Sequence, residues 1–422
     1  MAEMYPKQFL KSLGPLFRDY RKKSGYSVRD IARSANVAHT IVFDIENRKI
    51  IPNPETLEDL FNTLGIPLYK DPVTLWPLKD TLDAFFQVFY TKQLHEMTMY
   101  FDSLKRGEEI LLHSPLRIEY LFSRALHSLV IKNENVDTTI EWLESLKDCY
   151  TERQNQALIL IKGMNAYNKK HYDKAFDFFI KGEDENASFN MNHLTYYYLA
   201  FTADKLFKKE LSLYYARIAS DKYSNANNFQ RKIDLDLLLA KNMIEVGNYQ
   251  TAENYLNSIR FAVTNSDSEE SDRQWLLNLR SYLSYVRGDY EHASELLKDS
   301  KEDNIVSTLL KAFIGYRTHR YEDAKAHLRK MRTFKGVHYE TYRNCALVFL
   351  EHLDEEVNTD ELQKALDYVL NHPYDLETIH ARSFFTALVI EYYEDKGQCK
   401  KALDIAKTWI HRHTTNYTSE TK

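Results

Sequence analysis

Residues 163–179 read GMNAYNKKHYDKAFDFF, and the same plan returns at 240–256 (AKNMIEVGNYQTAENYL), 281–297 (SYLSYVRGDYEHASELL) and 312–328 (AFIGYRTHRYEDAKAHL). In each, a small residue (Gly163, Ala240, Ser281, Ala312) stands nine positions before an aromatic anchor (Tyr172, Tyr249, Tyr290, Tyr321). An alanine (Ala175, Ala252, Ala293, Ala324) follows three positions after it. A polar turn lies between, and apolar residues run at helical spacing on both sides, so each unit predicts two antiparallel helices that approach closely at the small positions. Weaker copies surround Leu94, Val136, Phe207, Leu362 and Cys399, and neighbouring anchors are 31 to 42 residues apart. Thr139 and Glu210 replace the alanine in two of them, and the acidic stretch 354–360 before Leu362 predicts a longer loop. One helix pair cannot bury its own apolar face, so units at this period must stack.

The rest of the composition agrees with a helical array. With 11 Gly and 9 Pro in 422 residues, turns are scarce. No apolar run approaches the roughly 18 residues of a membrane span, and the N-terminus, which carries Glu3, lacks the charged-then-apolar order of a signal peptide. The chain is therefore expected in the cytoplasm, away from membranes. Cys149, Cys345 and Cys399 are odd in number and far apart, which argues against a disulfide framework or zinc cluster and for small core residues. There is no His-Glu-x-x-His, no phosphate-binding glycine loop and no nucleophile elbow, so no catalytic, metal or cofactor site is expected and the protein should not be an enzyme. Charge is uneven: the first 70 residues carry 11 Lys and Arg against 8 Asp and Glu, the remainder 45 against 53. Only the N-terminal segment suits a polyanion.

That segment reads as four short helices. Leu13, Leu16, Phe17 and Tyr20 recur at helical spacing until Gly25. Ser27 and Asp30 form a capping box for a second helix ending near Ala35, and Asn36 suits a left-handed turn. A third helix is predicted from Ala38 to about Asn47 with Ile41, Val42 and Ile45 inward. Pro52 and Pro54 then break the chain before a fourth helix from Thr56 to Leu64.

The stretch FRDYRKKSGYSVRDIARSANVAHTIVFDIENRKIIPNPETLEDLFNTLGI (17–66) resembles the Xre/Cro-type helix-turn-helix domain over nearly its whole length. Arg21, Ser27, Ala32, Val37, Ile45-Glu46-Asn47 and Leu64-Gly65-Ile66 fall where that family has them, while Val28 replaces the usual Gln and Asn36 the usual Gly. The resemblance implies that the third helix enters the major groove, with Ala38, His39, Thr40, Phe43 and Asp44 at base edges. Arg18, Arg29, Arg33, Arg48 and Lys49 would contact phosphates of double-stranded DNA. A balance of only +3 implies weak binding by one copy, so a homodimer or higher oligomer reading two half-sites is expected.

The repeated units resemble tetratricopeptide repeats from about residue 80 to 410. The expected fold is thus all-α: a helix-turn-helix head (1–68), a linker (69–79) punctuated by Pro72 and Pro77, and a right-handed tetratricopeptide superhelix (80–415) for peptide binding and dimerisation. Positions twelve, eight, five and four before each anchor share one face of the first helix of a pair, which in such arrays lines the inner groove. They include Tyr167, Asn168, Lys241, Glu245, Asn278, Tyr282, Tyr285, Tyr316 and Arg317, a polar and aromatic stripe suited to an extended peptide.

Head plus about nine repeats resembles the RNPP group of peptide-sensing transcription regulators, in its longer form. The resemblance implies a quorum-sensing regulator whose DNA binding responds to a short signalling peptide in the groove. A phage or plasmid repressor switched by a communication peptide, and a repeat-based adaptor that sequesters a partner protein, are the alternatives.

Overall fold

The structure, a computed structural model, describes residues 7–69, 71–147, 150–183, 189–265, 270–301, 304–336, 339–372, 376 and 378–414. It is all-α, and among the described residues no helix is long and apolar enough to cross a membrane.

The head contains α1 (Lys7–Lys23), α2 (Val28–Ser34), α3 (His39–Glu46) and α4 (Pro54–Thr63) around a core of Leu13, Leu16, Phe17, Ile31, Val42, Ile45, Leu60 and Phe61. Ser27 caps α2 as expected: its Oγ accepts from the Asp30 amide at 3.1 Å and donates to the Asp30 carboxylate at 2.5 Å. Asn36 adopts the left-handed conformation, φ 51°, in the turn to α3. Pro54 is the first residue of α4, two positions earlier than Thr56, because the first turn needs no amide donor and Asn53 caps it. Gly14 sets how closely α1 and α3 meet, since a Cβ there would lie 2.0 Å from the Ile45 carbonyl oxygen.

Two compact units follow from the contacts, Met1–Thr202 and Ala203–Lys422. The first adds α5 (Pro72–Thr91), α6 (Leu94–Arg106), α7 (Glu108–Leu112) and α8 (Arg117–His127), which runs on as a π turn, Ser128–Lys132. Then come α9 (Asp137–Ser145), α10 (Glu152–Asn168), α11 (Tyr172–Lys181) and most of α12 (Phe189–Lys205). Most of the stretch read as a linker is helix: Asp71 caps α5, Pro72 opens it and Pro77 lies within it. The second unit holds α13 (Lys209–Asn225), α14 (Phe229–Glu245), α15 (Tyr249–Asn265), α16 (Glu270–Val286), α17 (Tyr290–Leu296) and α18 (Ile305–Arg317). It continues with α19 (Tyr321–Thr333), α20 (Glu340–His352), α21 (Thr359–Asn371), α22 (Ile379–Asp395) and α23 (Cys399–Thr414). Its core is continuous from Ile233 to Ala402.

Leu94, Tyr172, Tyr249, Tyr290, Tyr321 and Cys399 each open a helix. Two positions before them the backbone is left-handed every time, at Lys92, Lys170, Gly247, Gly288, His319 and Gly397. That recurring turn corrects the register at Phe207. Phe207 is itself the left-handed residue (φ 63°), so α13 opens at Lys209 and the small residue three further on is the buried Ser212. Leu362 lies inside α21 and does not open it. Close approach at the small positions is real: a Cβ on Gly163 would lie 2.3 Å from the Phe179 ring. Of the cysteines, Cys345 is buried but Cys399, expected in the core, is exposed, and Cys149 lies outside the described residues.

Candidate DNA-reading face and ligand groove

The third helix turns Val42 and Ile45 into the head core and leaves Ala38, His39, Thr40 and Phe43 outward. Ile41, expected inward, is also exposed. Phe43, 47 % exposed, packs on no core; the Lys49 ammonium sits 4.8 Å from its ring centroid. The same ammonium is 3.7 Å from Asp44, so the one acidic group on this face carries its own counter-charge. Arg29 and Arg33 are exposed on α2, and half-buried Arg18 reaches the Asn47 side chain at 3.4 Å. Behind the face, buried Arg21 grips Glu46 with two parallel hydrogen bonds, 2.5 and 2.8 Å, and also donates to the Tyr26 carbonyl at 2.6 Å. A bidentate guanidinium–carboxylate pair between α1 and the end of α3 sets the pitch of the exposed helix.

Within the first unit, the head is seated on the repeats. Arg117 of α8, 3 % exposed, lies between the rings of Tyr20 (4.8 Å) and Trp142 (4.7 Å) and 3.8 Å from the Asp19 carboxylate. The Tyr20 hydroxyl donates to the Leu112 carbonyl at 3.2 Å and lies 3.1 Å from His113 Nδ1. The Tyr69 amide donates to the His113 carbonyl at 2.9 Å, and Arg48 reaches the Tyr150 carbonyl at 3.4 Å. Burial, then Arg117, lowers the His113 pKa, and burial raises that of Tyr20.

In the second unit the inner faces converge. Tyr285 of α16 meets His380 of α22 (hydroxyl to Nε2, 3.2 Å), and Phe313 of α18 packs against Phe384 at 4.9 Å between centroids. Between these helices lies a half-open pocket, about 500 Å³ of empty space with its solvent-filled mouth included. Its walls are Trp275, Leu279, Leu309, Leu310, Phe313 and Ala381, and Lys241, Asn278, Tyr282, Thr378 and His380 also line it. The Lys241 ammonium is already taken by Asp204 at 2.5 Å, and Lys209 bridges Asp204 and Glu245. Burial acts to raise the Asp204 pKa, but the ammoniums of Lys241, Lys209 and Lys205 together outweigh it and hold the carboxyl far below its usual range. Lys241 and Glu245, read as ligand-facing charges, therefore neutralise a buried cluster instead. Asn278 accepts from Ser307 Oγ at 2.6 Å. Tyr316 meets His352 at 3.1 Å, and exposed Arg317 lies 3.4 Å from the Tyr285 hydroxyl. Tyr167 and Asn168 belong to the first unit, where Tyr167 packs edge-on to Tyr172 and Asn168 donates to the Leu129 carbonyl at 2.8 Å.

The helix-turn-helix family model matches residues 17–70. Those residues form a helix-turn-helix domain. No curated protein matches the sequence. Among solved structures, a Rap protein complexed with competence and sporulation factor aligns over 81 % of this chain and 98 % of its own, at TM-score 0.65 and 13 % identity. NprR in complex with its cognate peptide NprX aligns over 79 % and 99 %, at TM-score 0.59 and 15 % identity. The apo form of the quorum sensor NprR from B. thuringiensis aligns over 80 % and 99 %, at TM-score 0.57 and 14 % identity. These likenesses show the helical fold of most of the chain, and the helix-turn-helix head rests on the family match to its N-terminal residues.

Three residues of the sequence-derived stripe, Lys241, Asn278 and Tyr282, line the cavity, and Tyr285 and Arg317 stand at its His380 edge. Sequence reasoning missed the apolar lining. Leu309 and Phe313 occupy the twelve- and eight-position slots before Tyr321, so the register contained them, and only a preference for polar side chains passed over them.

Proposed function

We propose that this chain is a cytoplasmic transcription regulator whose DNA binding is controlled by a short signalling peptide held on the inner face of its repeats. The carrying observation is the pairing, in one chain, of an outward α3 bearing His39, Thr40 and Phe43 with an apolar inner cavity on the repeat helices. Imidazole and hydroxyl groups bond base edges, and an exposed phenyl ring contacts a thymine methyl. The Asp44–Lys49 pair lowers the repulsion that an unpaired carboxylate would bring to the DNA face. A single head with so small a positive balance binds weakly, which favours a homodimer on two half-sites. The fold shared with NprR, solved with its cognate peptide, supports the same ligand class here.

The test is a gel-shift series on DNA surrounding the chain's own gene. Wild-type protein should shift a fragment there, and the double variant His39→Ala with Thr40→Ala should lose sequence preference while staying folded. Failure of the wild-type chain to shift any such fragment would sink the regulator reading.

A further inference from the structure

The cavity in the second unit offers an apolar chamber whose bordering polar groups are nearly all engaged. Lys241 is held by Asp204, Asn278 by Ser307 and Asn304, and His380 by Tyr285. Burial and then Arg317 lower the His380 pKa, so at neutral pH its ring brings no charge. Among the described residues, a ligand therefore finds no free ion inside the chamber. Arg317 differs. It is exposed, pairs with no carboxylate among the described residues, and its Nε lies 3.4 Å from the Tyr285 hydroxyl, which itself meets the cavity-lining His380. With Nε turned to that hydroxyl, its two terminal amino groups are open beside the chamber, separated from it by two hydrogen-bonded side chains.

We infer that the groove selects peptides in which a bulky apolar side chain sits within a residue or two of a carboxylate: the side chain fills the chamber between Trp275, Leu309 and Phe313, and the carboxylate docks on Arg317. A planar guanidinium matches a carboxylate with two parallel hydrogen bonds, which no other group at this edge can do. The chamber supplies affinity without charge, because full burial of a large apolar side chain strengthens binding by roughly ten- to a hundredfold. The carboxylate comes either from the peptide's own C-terminus or from a neighbouring Asp or Glu. This inference rests on the peptide-sensing reading above.

Fluorescein-labelled heptapeptide pools titrated against the full chain by anisotropy test it. One pool ends in Phe or Leu as the free acid. A second is the same pool amidated, a third is amidated with Asp or Glu beside the Phe or Leu, and a fourth is a free acid ending in Ser. The first or third should bind, identifying the source of the carboxylate, and the second and fourth should bind about tenfold more weakly or worse. Arg317→Gln should weaken the binding pool about tenfold and erase its preference over the amide, with the thermal midpoint of the free protein unchanged. Phe313→Ala should weaken every apolar pool alike. Equal binding of acid and amide without a nearby acidic residue, or an R317Q chain with unaltered affinity, would overturn the inference and leave peptide sensing intact. No binding by any pool would overturn both.

Discussion

Replacing Arg117 with methionine keeps the aliphatic stem and removes the guanidinium on which the head is seated. Two cation–π contacts, desolvated because Arg117 is 3 % exposed, contribute roughly 1–2 kcal/mol each. The 3.8 Å approach to Asp19 adds at most about 1 kcal/mol, since Lys23 also holds that carboxylate at 2.8 Å and keeps it paired. Allowing for the packing that methionine retains, the seat weakens by about 2–4 kcal/mol. The hydrogen bond from the Tyr69 amide to the His113 carbonyl reports on it, because it closes when the head is seated. Its exchange with deuterium, followed by mass spectrometry on a fragment spanning 66–76, should quicken about 30- to 700-fold, while amides of the head core around Val42 keep their protection. The seat should also be pH-sensitive. The folded-state pKa of His113 lies below its ordinary 6.5, so its contribution is complete above that value and fades as pH falls from there through the depressed one. In wild type, Tyr69 exchange corrected for intrinsic rates should therefore rise on acidification below pH 6.5. A folded R117M chain with unaltered Tyr69 exchange, or one whose head core opens equally, would refute the reasoning.

Gly163→Ala should destabilise the repeats by about 1–2 kcal/mol in urea unfolding: overpacking against the fully buried Phe179 ring exceeds the gain in helix propensity, and a raised midpoint would contradict this. His127 stacks on Phe101 at 4.0 Å, and neither ring nitrogen has a hydrogen-bond partner. His127→Phe should therefore stabilise by about 1–2 kcal/mol. Because burial lowers the folded pKa of His127, the wild-type chain should lose stability as pH falls below 6.5 and the variant less so, measured by thermal melts from pH 7.5 to 5. Lys241→Met leaves Asp204 buried with one fewer cation and should cost about 3–5 kcal/mol, whereas pairing it with Asp204→Leu should recover much of the loss. A double variant less stable than K241M would show that the cluster is not a paired unit.

Local patterns were legible. The cap at Ser27, the left-handed Asn36 and the paired helices around Tyr172, Tyr249, Tyr290 and Tyr321 each depend on a few neighbouring residues, and the structure places them as read, with each second helix opening at the tyrosine itself, three residues ahead of its alanine. Residues that line one pocket, Lys241, Tyr282, Leu309 and Phe313 among them, also share a register, because a helix of period 3.6 brings positions twelve and eight before an anchor to one side. The slip at Phe207 has the same local origin. An aromatic residue there imitates an anchor, and only the backbone shows that it occupies the left-handed turn usually filled by Gly, Lys or His.

What stayed hidden joins residues far apart in sequence. Tyr20 and His113 are separated by 93 positions, and Tyr285 and His380 by 95. No periodicity encodes either pairing. Each depends on how helices distant in sequence pack together, the head against the helices after it and α16 against α22. The consequence for the stripe is physical. Lys241 and Glu245 read as free charges while α14 is considered alone, and become a neutral buried cluster once Asp204 and Lys209 close on them. Arg317 sits on the same helical face, and among the described residues no carboxylate comes within ion-pair distance of it; its hydrogen-bond partner is the Tyr285 hydroxyl. Two cations on the same helical stripe thus differ in what they can bind, and the difference lies in the Asp204 and Lys209 side chains that the preceding helices bring to Lys241.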